Sequence, residues 1–219
     1  MPELHGSSIS IVHERGLYSD AGAAMTPGID PAATGGIIRH GAHLYAAYPT
    51  RRSAQDLIDL NCRSRRAHQP WVYVPTDIAG YQRYLDSIVS GHTIGLLLRR
   101  LTDHRLIGVV NLAEPVMGAF RSAYLGYYQD VETVGQGYMT EGVGLAIDHA
   151  FLDLDLHRLE ANIQPQNARS LALARRLGFR HEGFSPRYLE VAGEWRDHDR
   201  WAILAEEWRR APGPMIGPQ

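Results

Sequence analysis

The sequence predicts one α/β domain in which strands and helices mix, on three observations. Residues 123–129 read as a strand that runs into the glycine-rich turn Gly135-Gln136-Gly137-Tyr138-Met139-Thr140-Glu141. Beyond Gly142, Val143, Ile147, Ala150, Phe151 and Leu154 recur at three- and four-residue steps, the period of a helix buried along one side. The chain then closes with two strand-like runs, residues 179–191 and 196–205, turning near Ala192-Gly193-Glu194. A length of 219 residues suffices for one domain with a substantial core, plus extensions.

Residues 1–38 stand apart as an expected N-terminal extension. Residues 21–36 are rich in Ala, Gly, Pro and Thr without an apolar period, and only Ile9-Ser10-Ile11-Val12 could form a short strand. The domain is expected over residues 39–208, with 209–219 as a tail. It begins with a strand at 43–48. Ser53 then caps a helix, with Asp56 at the capping-box position. A second helix runs from about 77 to 89, with Ile78, Tyr81, Leu85 and Ile88 on one side. Residues 94–101 and 106–113 form a hairpin around Thr102-Asp103-His104-Arg105. After the main helix comes a short strand ending at Ile163, which Pro165 helps to terminate. Asn167 can cap the next helix, and Gly178 sits where a helix stop belongs.

Composition narrows the classes. Lys and Arg number 22 against 24 Asp and Glu, so the basic excess of a nucleic-acid binder is missing. The single cysteine, Cys62, rules out an intrachain disulfide framework, fits a reducing cytoplasm, and is expected as a small core residue. No run approaches the roughly 18 apolar residues of a membrane span, and the N-terminus lacks a positive-then-apolar secretion signal, so a cytoplasmic location is expected. The 11 histidines do not imply a metal: Asp197-His198-Asp199 alternates sides on a strand and offers too few ligands on one face.

A strand ending in a glycine-rich turn that opens a helix is an anion cradle. Free backbone N–H groups and the positive end of the helix dipole face one small volume, and glycines let a phosphate come close. The residues downstream give this turn more meaning: His157-Arg158-Leu159-Glu160-Ala161, then Asn167 and Ser170, then Leu177-Gly178-Phe179, Glu182-Gly183, Tyr188, and Gly193 with Trp195 and Asp197. Together with Gly126-Tyr127, Gly135 to Glu141, and an upstream stretch ending Gln69-Pro70-Trp71, this pattern resembles the GNAT superfamily of acyl-CoA-dependent N-acetyltransferases, in its RimJ/RimL-like branch. The resemblance covers about residues 40–208. It implies a mostly antiparallel mixed sheet of about seven strands, flanked by helices and splayed between the fourth and fifth.

The resemblance further implies acetyl-CoA as cosubstrate. Its pantetheine arm would bond the backbone edge at residues 127–131, including Tyr127, Tyr128 and Gln129. Its pyrophosphate would rest on the N–H groups of Val134, Gly135, Gln136, Gly137, Tyr138 and Met139. Asn167 would bond the pantetheine or an ordered water, and Ser170 would lie near the sulfur as acid or thiolate stabiliser. Two departures stand out. Glu132 replaces the usual Gln or Arg three residues before the first glycine, and Gly142 and Gly144 replace alanines, each at up to about 1 kcal/mol of helix propensity. For the base, Glu190, Glu141, Asp197 and Glu114 are candidates, as is a water chain. Glu141 could equally complement the helix dipole, and Asp197 could be structural. Tyr188 could line the acceptor pocket, and His157 is expected to be packed or capping.

The expected reaction is direct attack of an amine on acetyl-CoA, with no covalent enzyme intermediate. The first choice of acceptor is a protein N-terminal α-amine, as for the best-known members of the branch. A small amine or lysine side chain, an acyl-CoA sensor without transfer, and an interaction protein whose extension fills the acceptor groove remain alternatives. A homodimer is a family-level expectation.

Overall fold

A computed structural model describes residues 36–69 and 71–210. The expected strand at residues 9–12 and the segment 211–219 lie outside them. In chain order the elements are β1 (Ile37–His40), β2 (Leu44–Ala47), α1 (Ala54–His68), α2 (Ile78–Val89), β3 (Thr93–Arg100), β4 (Leu106–Val116) and β5 (Ser122–Gln129). Next come α3 (Tyr138–Asp148), β6 (Arg158–Ile163), α4 (Ala168–Arg176), β7 (Arg180–Val191), β8 (Glu194–Leu204) and α5 (Ala205–Arg210). The strands make one sheet in the order β1-β2-β3-β4-β5-β6-β8-β7. All neighbours are antiparallel except β5 and β6. A parallel pair needs a crossover, and the glycine turn with α3 supplies it.

Among the described residues the sheet has eight strands, one more than expected. The added β1 lies partly within the predicted extension, because Ile37, Arg39 and His40 pair with Ala47, Ala46 and Tyr45. The alternation of each strand feeds two cores. On one face Leu98, Val110, Leu125 and Leu159 meet Val143, Ile147 and Phe151 of the main helix and Leu173 of α4. On the other, Leu97, Val109 and Tyr128 meet Leu57 and Leu60 of α1 and Tyr81 and Leu85 of α2.

Local details correct the sequence reading. The start of α1 is set by Thr50, whose N–H donates to Ser53 Oγ at 3.3 Å, ahead of a 3-10 turn at Arg51–Ser53. Ser53 makes no cap bond, and Asp56 pairs instead with Arg99 at 2.6 Å. Asp77 caps α2, its Oδ1 accepting from Gly80 N–H at 2.6 Å, but Ile78 is exposed and Tyr84 takes the inward place. Cys62 is exposed on α1, not in the core. The regular main helix ends at Asp148 and continues as a π turn, His149–Asp153, which keeps Phe151 buried. His157 is half-exposed and pairs with Glu206 at 3.2 Å. A short helix, α5, succeeds β8 where the sequence suggested only strand and tail, and Trp208 Nε1 fastens it to Asp148 Oδ1 at 2.8 Å. Among the described residues, no helix is long and apolar enough to cross a membrane.

Candidate active site

The β5–β6 ladder is short. Ser122, Ala123 and Tyr124 face Arg158, Leu159 and Glu160, and there it stops. Yet β5 continues alongside β4 until Gln129 meets Gly108, and β6 alongside β8 until Ile163 meets Asp199. Residues 125–129 and 161–163 therefore diverge as a V whose vertex is Tyr124 and Glu160. Backbone polar groups facing that gap have no ladder partner, and an extended ligand can supply one.

The predicted edge of 127–131 is displaced by about two residues. Val131 has left the strand, its N–H donating to Ser64 Oγ at 2.9 Å, and the Gln129 carbonyl accepts from His68 Nε2 at 2.8 Å. Tyr128 points away into the α1/α2 core, its ring 5.1 Å from His68. Tyr127 takes the opposite face, and its hydroxyl donates to the Ser170 carbonyl at 3.3 Å. Burial pushes the Tyr127 phenol up to about 12, so it stays protonated and a donor.

The cradle follows β5 after a 3-10 turn, Val131–Thr133. Gly135 and Gly137 have φ of +84° and +82°, and a Cβ at either position would meet nothing within 4 Å. The turn thus needs glycine for its backbone, and its outer side is open to a ligand. Gly137 caps α3 without a side chain, so the first N–H groups of the helix stay available to an anion. Met139 is buried and faces Gly108, which limits it to a backbone contribution. Arg176 of α4 reaches Thr140 Oγ1 at 3.0 Å, placing a cation beside the helix start. Glu132 is ion-paired with Arg105. Arg105 also holds the fully buried Asp130 at 2.7 Å, together with Arg63 at 2.5 Å. Burial pushes the Asp130 carboxyl up, but these two guanidinium groups more than offset it and hold it at about 2.

At the start of α4, Asn167 Oδ1 accepts from Ser170 N–H at 3.2 Å. The cap is real, and it leaves the Asn167 amide N–H2 as the group this side chain can offer a ligand. Tyr127, Asn167 and Ser170 therefore gather on one side of the gap.

The carboxylates separate by position. Glu141 is buried, with Oε1 accepting from His43 N–H at 2.8 Å and Leu44 N–H at 3.0 Å, and Oε2 3.0 Å from His43 Nδ1. It anchors α3 to the β1–β2 turn, which occupies the carboxylate and removes it as a base. Glu190 is exposed opposite Trp195 near the hairpin turn. That is about 13 Å along β8 past the end of β6, so it is not brought to the vertex. Asp197 Oδ1 accepts from Arg187 N–H at 2.8 Å across the bulge of β7, a structural role. Glu114 lines a cavity of about 100 Å³ with Phe120, Tyr124 and Glu160. Tyr188 stands beside Tyr124, and burial pushes its phenol up to about 12. Glu160 was absent from the sequence-level candidates. Alternation could have found it: Leu159 and Ala161 point into the α3 core, so Glu160 must point to the other face. Among the described residues, no group of three His, Cys, Asp or Glu could hold a metal ion.

A family model described as "Acetyltransferase (GNAT) domain" matches residues 48–180. The chain belongs to the GNAT acetyltransferase family. It is 34% identical over 165 residues to the [Ribosomal protein uS5]-alanine N-acetyltransferase of Escherichia coli, covering 72% of this chain and 85% of that one. It is 42% identical over 103 residues to the Bacillus subtilis protein YjcK, spanning 47% of this chain and 57% of that one. Mycobacterium smegmatis RimJ, solved with CoA-disulfide, superimposes with a TM-score of 0.69 at 28% identity over 75% of this chain and 83% of that one. The GNAT fold and the RimJ/RimL-like resemblance hold, and acetyl-CoA is the cosubstrate of this family. The V gap, the open glycine turn and the helix start fit its extended arm and its pyrophosphate. This GNAT enzyme is an N-acetyltransferase.

Proposed function

We propose that this N-acetyltransferase delivers the acetyl group to the α-amine of a protein N-terminus, by direct attack within a ternary complex. The observation that carries this reading is the 34% identity, across 85% of its length, to an enzyme named for a ribosomal-protein alanine. Acetyl-CoA supplies the thioester. The chain supplies the rest: residues 125–129 offer backbone to the pantetheine, and the 134–139 turn offers N–H groups to the pyrophosphate. Asn167 steadies the arm. Ser170 stands near the sulfur, where its hydroxyl stabilises the leaving thiolate. A cytoplasmic setting agrees with the exposed, free Cys62 thiol.

The test offers acetyl-CoA with peptides beginning in alanine or serine, with spermidine and with free lysine, and detects acetylation by mass. Peptide α-amines are expected to react fastest. Transfer to small amines alone overturns the reading.

A further inference from the structure

The sheet face opposite α3 and α4 is covered by α1 and α2 only as far as β5. Beyond that, alternation places Tyr124, Glu160, Asn162 and Arg200 together on it, since Ala123, Leu125, Leu159, Ala161, Ile163 and Trp201 all point into the other core. Glu160 sits at the vertex of the V, and its carboxylate lines the cavity of about 100 Å³ there. Arg158 Nη2 holds Glu160 Oε2 at 2.9 Å, while the same guanidinium is shared with Glu182 at 2.5 Å. One step along, Asn162 and Arg200 are register partners. Asn162 Oδ1 and Arg200 Nε are both buried and without a hydrogen-bond partner. Orphaned buried polar atoms are costly in an interior, and two of opposite kind side by side suit a guest carrying both a donor and an acceptor. A peptide group is such a guest. A polyamine is not, because it offers Arg200 only like charge.

We propose that this face is the acceptor seat: Glu160 takes the proton from the attacking α-amine, while Asn162 Oδ1 and Arg200 Nε–H bond the first peptide units. The inference rests on the protein-acceptor reading and extends it. Residues i and i+2 of a strand lie about 7 Å apart, the distance from an N-terminal nitrogen to the second peptide group of an extended chain. The neutral amine forms the C–N bond to the thioester carbonyl carbon. Its N–H becomes strongly acidic and passes a proton to Glu160. The C–S bond then breaks, the electron pair leaves on sulfur, and the Glu160 proton reaches the thiolate through solvent. The small cavity, room for about three waters, favours N-terminal residues with short side chains.

The test compares wild type, Glu160→Gln, Glu160→Asp and Arg200→Gln on an alanine-terminated peptide from pH 6 to 9, with acetyl-CoA affinity measured in parallel. Glu160→Gln is expected to bind acetyl-CoA normally, to lose about 10²–10⁴-fold in kcat, and to regain rate as pH rises. Glu160→Asp should fall between, which separates lost chemistry from lost folding. Arg200→Gln should raise the peptide KM about tenfold or more with little change in kcat, in line with a lost hydrogen bond to a charged donor. A Glu160→Gln enzyme with wild-type kcat and pH profile overturns the base. An unchanged KM for Arg200→Gln overturns the seat. Should wild type acetylate spermidine and no peptide, the protein acceptor and the seat fall together, and Glu160 is judged by its kcat on spermidine.

Discussion

Arg105, just before β4, is ion-paired with Glu132, the carboxylate three residues before the first glycine of the cradle. An acid there looks unfavourable beside a pyrophosphate, but the guanidinium neutralises it and ties it to the buried Asp130. Arg105→Ala should weaken acetyl-CoA binding by about three- to tenfold at low salt, and less in high salt, where exposed charges are screened. Adding Glu132→Gln to that variant should restore most of the loss. Calorimetric titrations of the three proteins check both expectations.

Glu141→Ala strips the carboxylate from two backbone N–H groups, one of them on the fully buried Leu44. The expected loss is about 1–3 kcal/mol of stability, the cost of leaving a buried N–H donor unsatisfied. The folded fraction should keep its kcat, because the side chain faces the β1–β2 turn. Urea unfolding and active-site-normalised turnover read the two effects separately.

The two unusual glycines of α3 should respond with opposite signs. A Cβ on Gly142 would lie 2.1 Å from Leu98 Cδ1, whereas one on Gly144 would meet only Trp208 Cη2 at 3.9 Å. Gly142→Ala should destabilise by about 1–3 kcal/mol through overpacking. Gly144→Ala should stabilise by up to about 1 kcal/mol through helix propensity. Thermal unfolding of each single variant decides it.

Stability should decline in two stages on acidification. Burial lowers His68, His149 and His198 below the ordinary histidine value, so the unfolded chain binds protons first and stability begins to fall below about pH 6.5. Asp130 is held at about 2 against 3.8 in the free side chain. Its contribution is therefore complete above about pH 4 and vanishes as pH falls towards 2. Urea midpoints from pH 8 down to pH 3 should show a shallow slope and then a steep one. Asp130→Asn should remove much of the second.

The glycine turn and the helices that flank it were largely legible in the sequence, because local backbone shape builds them. Gly135 and Gly137 declared the turn, Asn167 the cap of the next helix, and the three-four spacing from Val143 the helix that crosses over. The placement of the carboxylates was not. Glu141 reads as an exposed first-turn acid until β1 and β2 fold against it. Glu190 is close to the family pattern yet far from the vertex, since the β7–β8 hairpin runs on past β6. Glu160 is anonymous until register sets it beside Tyr124. Pairing between distant strands decides these positions, and local pattern does not encode it. Cys62 misled for a simpler reason: a helix has an outer face, and one small residue does not say which face it occupies.

The cradle and the gap as the cosubstrate site are tested most directly by a calorimetric titration of the folded protein with acetyl-CoA, repeated with ATP and with the Gly137→Val variant. One saturable micromolar site is predicted for acetyl-CoA, with little or none for ATP. Gly137→Val should lose most of the binding, because a β-branched residue cannot hold φ near +82°. No binding by a protein shown to be folded, or equal binding of ATP, would contradict that assignment.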